Sequence, residues 1–221
     1  MNPLLASLAI LAVVLDDGNE ATSPFFSRLA VTVQRPLSPE DEKLLASAGR
    51  EFAMGNFSEC LKVLEPASVH PEVLNLRGAA MAEMGKKENA AALFQWALEL
   101  DPQHFWARYN LAEIALLAGE PDRARKQFLV LPQRSPAEQE LVKLKLLLVD
   151  LRLDDEASAR RQLPAWPPAT AAGYAAYAAL AHREGDDARR AAILSESRRL
   201  HPDEWGIFLK KTLLESGIPT D

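Results

Sequence analysis

Apolar side chains recur at helical spacing through most of this sequence, in stretches separated by short polar turns. Residues 83–102, EMGKKENAAALFQWALELDP, set them three and four apart between a glycine turn and a proline, as expected of a helix with one buried face. Residues 117–136, LAGEPDRARKQFLVLPQRSP, repeat the punctuation. Gly85 is matched by Gly119, Ala90 by Ala124, Phe94 by Phe128 and Pro102 by Pro136, each pair 34 residues apart. Ala48, Gly55, Cys60 and Leu64 keep the spacing upstream, and Ala178, Gly185, Leu194 and Pro202 keep it downstream. Residues 139–170 fit poorly, with Leu153 where the turn glycine belongs and Ser158 where the small residue belongs. After Pro202, DEWGIFLKKTLLESG predicts one more helix, with Trp205, Phe208, Leu209 and Thr212 on one face and Gly217 as its stop.

Each repeated feature has a physical task. Small residues let two antiparallel helices approach closely, and glycine ends the first helix in a left-handed conformation that other residues avoid. The large apolar residue fills the gap to the next unit, and proline ends the second helix. Such a pair of helices cannot cover its own apolar face, so neighbouring pairs must stack.

In these residues the chain resembles the tetratricopeptide-repeat family, whose unit is a 34-residue helix–turn–helix. The signature places are filled by Leu74, Gly78, Met81, Ala90, Phe94, Ala97 and Pro102 in one unit. In the next they are filled by Arg108, Leu111, Ala112, Ala115, Ala124, Phe128, Leu131 and Pro136. Arg190, at a normally small place, departs from the pattern. The resemblance implies an all-α fold, a right-handed superhelical solenoid of antiparallel helix hairpins. The expected units are 41–70, 71–104, 105–138, a degenerate 139–170 and 171–204, closed by a capping helix at 205–221. Residues 1–40 are expected to form an apolar helix and a degenerate hairpin.

The apolar run PLLASLAILAVVL, residues 3–15, carries a second reading as a signal segment within 1–22. It is too short to span a membrane, no basic residue precedes it and no good cleavage site follows. A cytoplasmic home is the expectation, and a periplasmic or exported one follows if the segment is removed.

In the family, first helices of successive units line a concave groove. Carried onto this chain, that surface comprises Asn75, Ala79, Ala82, Trp106, Tyr109, Glu113, Leu116, Lys143 and Leu147, with Glu140 and Asp150 beside the last two. Trp106 and Tyr109 lie three apart on one helix face, either as interface anchors or packed between units. Some members of the family grip a carboxylate tail with Lys, Asn and Arg. Here Leu76, Ala79 and Glu140 stand where such donors are wanted and Asn110 alone matches, so an apolar peptide or helix is the expected ligand.

Composition narrows the function further. The 221 residues are 48% hydrophobic and 25% charged, an ordinary globular balance. A net charge of −6 argues against nucleic acid as partner, and the arginine pairs at 160–161, 189–190 and 198–199 are interleaved with acids. One cysteine, Cys60, precludes an intrachain disulfide and occupies a small packing position, where an inert thiol is expected. His70, His104 and His201 read as loop residues beside repeat-ending prolines. His182 lacks a metal-pair partner four residues away. The glycines stand singly at turns, not in a phosphate loop, and the pairs Asp16-Asp17, Asp154-Asp155 and Asp186-Asp187 fall at helix ends and starts. The expectation is therefore a non-catalytic adaptor or scaffold without cofactor or metal, binding a protein or peptide in its groove, with self-association left open. A secretion-type chaperone for an export substrate and a self-associating subunit of an envelope complex are the alternatives.

Overall fold

The computed structural model describes residues 36–132, 135–202 and 207–220. The expectations for residues 1–35, including the apolar run, lie outside the described residues, as do the side chains of Trp205 and Phe208. The described residues form eleven helices and no strand. They fall into two compact units that meet within the fifth helix, between Ile114 and Ala115.

The first unit contains α1 (Pro39–Ala53), α2 (Phe57–Leu64), α3 (Pro71–Glu83), α4 (Lys87–Leu100) and most of α5 (Phe105–Leu117). Ser38 caps α1 by accepting from the Asp41 N–H at 3.0 Å, with Pro39 in the first turn. Asp41 is itself buried; its carboxylate accepts from Ser38 Oγ at 2.8 Å, from the Ser68 N–H at 3.0 Å and from the Ser68 hydroxyl. The start of α1 is thereby tied to the loop after α2. Arg77 on α3 donates from Nη2 to Leu64 O at 2.8 Å, placing a cation at the C-terminus of α2. Two apolar clusters form the core. One joins Ala48, Cys60, Leu61, Leu64, Leu76 and Ala80, and the other is built around Leu74, Met81, Ala90, Leu93 and Phe94. Burying each Leu or Phe contributes about 1.5–3 kcal/mol. The small residues are what let the helices close: Phe94 lies directly over Gly78 in its own hairpin.

The second unit contains the end of α5, α6 (Pro121–Leu129), α7 (Pro136–Arg152), α8 (Glu156–Arg161), α9 (Ala171–Arg183), α10 (Asp187–Leu200) and α11 (Ile207–Glu215). Ser135 and Glu138 form a reciprocal capping box at the start of α7, at 3.2 and 3.0 Å. Its core joins Leu144, Leu147 and Leu148 of α7 to the alanine-rich α9 and to Ile193, Leu194, Leu209 and Leu213. Arg152 donates to Glu215 O at 2.8 Å and to Leu116 O at 3.3 Å, tying the ends of α11 and α5 together.

The turns explain the irregular period. After α1, α3, α5, α7, α9 and α11 the chain enters the left-handed region at Gly55, Gly85, Gly119, Asp154, Gly185 and Gly217. Each time, that residue's N–H bonds the carbonyl three back and the next N–H bonds the carbonyl five back. The fourth turn therefore sits at Asp154, 35 residues after Gly119, not at Leu153. Counted from there, Ala159 takes the small buried place expected of Ser158, and Leu163 takes the large apolar place. The stretch read as degenerate is thus the same hairpin, with α7 longer than α3 and α5, its turn displaced by one residue and aspartate in place of glycine.

Candidate partner-binding surface

In the first unit α3 is buried nearly all round, because α1, α2 and α4 all pack against it. Asn75, expected on an open face, is fully buried; its Oδ1 accepts from Asn110 Nδ2 at 3.0 Å. Leaving either amide unpaired there is costly, so Asn110, itself buried, directs a donor to Asn75 inside the unit. Ala79 is buried as well, and Ala82 is partly exposed. On α5, Tyr109 is 1% exposed and belongs to the core. Trp106 is partly exposed, with its ring edge-on to Phe105 at 4.8 Å and to Tyr109 at 5.6 Å. Glu113, one turn along, is also partly exposed.

In the second unit Leu116 and Leu147 are buried, and Lys143 is partly exposed. Glu140 accepts from Thr170 Oγ1 at 3.0 Å. Asp150 is wholly buried with its Oδ1 2.8 Å from Arg125 Nε. Burial pushes the Asp150 carboxyl above its ordinary value of 3.8, against the pull of Arg125 and with Asp155 adding to the rise. Asn75, Ala79, Tyr109, Leu116 and Leu147 are therefore packing residues. The exposed remainder is Ala82, Trp106 and Glu113 in the first unit and Lys143 in the second. The reason is common to all five: an interior helix of stacked hairpins is covered on both flanks, and a face spacing alone does not say which flank stays open.

Two histidines differ from the loop reading. His70 caps α3, its Nδ1 accepting from the Glu72 N–H at 3.2 Å. His104 is buried at the start of α5, with Nδ1 accepting from the Ala107 N–H at 3.1 Å and Nε2 3.4 Å from Glu72 Oε1. Both act on helix N-termini, where orphan N–H groups need acceptors. Asp155 and Asp186 do the same for α8 and α10. Cys60 is wholly buried and its thiol is pushed up to about 12, chiefly by burial, so it offers no ready thiolate. Among the described residues no three His, Cys, Asp or Glu side chains converge as metal ligands. Among them no helix is long and apolar enough to cross a membrane.

Trp166 has no place in the periodic pattern, being in the connection between α8 and α9, yet it is 57% exposed. The proline-flanked run LPAWPP is the sequence signal for it: prolines stiffen a loop that an exposed tryptophan would otherwise collapse.

Residues 81–148 match the tetratricopeptide-repeat family. Over 122 residues, 53% of this chain, the sequence is 31% identical to the TPR repeat-containing thioredoxin TTL4 of Arabidopsis thaliana. The match covers 18% of that relative, so the chain spans under a fifth of its length. The solved structure of pilF from Pseudomonas aeruginosa aligns over 77% of this chain and 76% of its own, with 20% identity and a TM-score of 0.46.

Proposed function

Because this chain carries tetratricopeptide repeats, we propose that it is a non-catalytic adaptor whose α5 flank binds a segment of another protein. Repeats of this kind offer stacked helices as protein-binding surfaces. The observation that supports the α5 flank is Trp106, a partly exposed ring braced edge-on by two buried aromatics, Phe105 and Tyr109. A large ring held in one place loses little entropy on contact, which is why tryptophan recurs at interface hot spots. Ala82 on α3 and Glu113 on α5 supply a small apolar place and a carboxylate in the same unit.

Capture from native extract with mass spectrometry tests the reading. Trp106→Ala should lose the wild-type partner while the melting temperature stays within a few degrees, since the ring is only partly buried. Tyr109→Ala should cost about 3–5 kcal/mol, because it empties a fully enclosed site. An unchanged set of captured proteins with Trp106→Ala sinks the assignment. A varied set of unfolded export substrates would replace the adaptor with a chaperone.

A further inference from the structure

The second unit carries a surface that the adaptor reading does not use. The connection QLPAWPPAT, residues 162–170, is pinned at several points. Tyr177 donates its hydroxyl to Pro164 O at 2.8 Å, and Thr170 caps α9 by accepting from the Gly173 N–H at 3.1 Å. Gly173 approaches so closely that a β-carbon there would lie 2.7 Å from Pro168 Cβ and 3.1 Å from Pro164 Cγ. This fixed loop holds Trp166 outward, edge-on to Tyr177 at 5.0 Å and to Tyr174 at 5.6 Å. Beside it, Trp166, Tyr177, Ala192, Ile193 and Arg189 line a hollow of about 390 Å³, room for one bulky side chain.

The charges around the hollow favour one kind of visitor. Arg189 is the charged group in the lining. Its Nη1 pairs with Glu184 at 3.0 Å, but Glu184 is shared with Arg160 at 2.6 Å, and Arg160 also holds Glu156. On α10, Glu196 is held by Arg199 through two bonds, Asp187 by Arg190 at 2.6 Å, and Asp186 accepts the Arg189 N–H at 2.9 Å. Every acid here is already engaged. A carboxylate at the rim gains from Arg189, whereas a lysine there is repelled by Arg189 and finds Glu184 already paired.

We propose that this hollow docks a linear segment of another protein, which inserts one bulky apolar side chain beside Trp166 and Tyr177 and sets a flanking Asp or Glu side chain on Arg189. A side-chain carboxylate fits better than a chain terminus. Terminal carboxylates are captured by clusters of backbone N–H groups, and the Arg189 N–H is already taken by Asp186.

The test uses the full chain and short fluorescein-labelled peptides, acetylated and amidated, with Gly-Ser flanks around a Leu-Glu-Glu, Ser-Glu-Glu or Leu-Lys-Lys centre. Fluorescence anisotropy should show the Leu-Glu-Glu peptide binding about tenfold or more tightly than the other two. Arg189→Glu should invert the preference so that Leu-Lys-Lys binds better, an exchange that a merely structural arginine does not produce. Ala192→Glu, at an exposed position that fills the hollow, should abolish binding while the helical circular dichroism is kept. Trp106→Ala, in the first unit, should leave this binding intact, so failure here is separate from failure of the α5 reading. The proposal is overturned if Leu-Glu-Glu fails to bind at millimolar protein, or if Arg189→Glu leaves the preference unchanged. It is also overturned if only a free carboxyl terminus binds. A concentration-dependent mass that Ala192→Glu removes would overturn it too, by assigning the hollow to a second copy of this chain.

Discussion

At Gly78 the chain depends on the absence of a side chain. A β-carbon there would lie 2.6 Å from Phe94 Cε1, 2.9 Å from Cδ1 and 3.0 Å from Cζ. Phe94 is 1% exposed, and its flat ring has nowhere to turn. In an open helix, replacing glycine with alanine gains about 1 kcal/mol. Here the overpacking costs about 1–3 kcal/mol, so Gly78→Ala should lower the urea midpoint. A higher midpoint would show that the ring gives way and that glycine serves no packing purpose. The small and large residues at 78 and 94 were legible as a repeated pair. That the ring covers its own hairpin's glycine, and not only the gap to the next unit, was set by side-chain direction.

At the scale of an element, α7 shows how a hairpin survives a change of length. It runs 17 residues against 13 in α3 and 13 in α5, and its left-handed stop falls on Asp154 at φ 56°. Aspartate tolerates this conformation better than most residues but still carries strain of up to about 1 kcal/mol relative to glycine. Its exposed pairing with Arg183 returns little, because both groups are largely in water. Asp154→Gly should therefore raise the urea midpoint of the second unit. A fall would mean that the Arg183 pair outweighs the backbone strain. A fixed 34-residue ruler misses this turn, since the conserved feature is a conformation and only usually a glycine.

Among the described residues, each unit holds one buried carboxylate, Asp41 in the first and Asp150 in the second, and the two respond to pH in opposite senses. Hydrogen bonds from Ser68, and then from Ser38, hold Asp41 below its ordinary 3.8. Its contribution to stability is complete above 3.8 and is lost as pH falls through the lowered value. Asp150 is raised above 3.8 by burial, so its ionisation at neutral pH disfavours folding, and that penalty is relieved as pH falls through the raised value. Urea unfolding from about pH 3 to 7 separates them. Asp41→Asn should lower stability at neutral pH and flatten the decline below 3.8. Asp150→Asn should remove the part of the pH slope lying between 3.8 and the raised value. An unchanged slope with Asp150→Asn would show that Arg125 fully offsets its burial.

The sequence by itself determined most of the described helices, most of their stops, and the repeat pattern that residues 81–148 share with the tetratricopeptide-repeat family. Those rest on local physics: apolar spacing, glycine's freedom at positive φ, and proline's missing donor. It also placed Cys60, Ala90, Phe94 and Phe128 in the core, because small and large residues alternated at fixed offsets. Only the tertiary structure decided which helix faces stay open. Asn75 and Tyr109 share helix faces with residues that remain partly exposed, yet neighbouring helices bury them, and no local spacing records which neighbour lies where. The same holds for His104, whose burial and capping role depend on the folded approach of α3 and α5, and for Trp166. That ring is exposed because Tyr177, Thr170 and Gly173, distant along the chain by up to eleven positions, fix the loop that carries it.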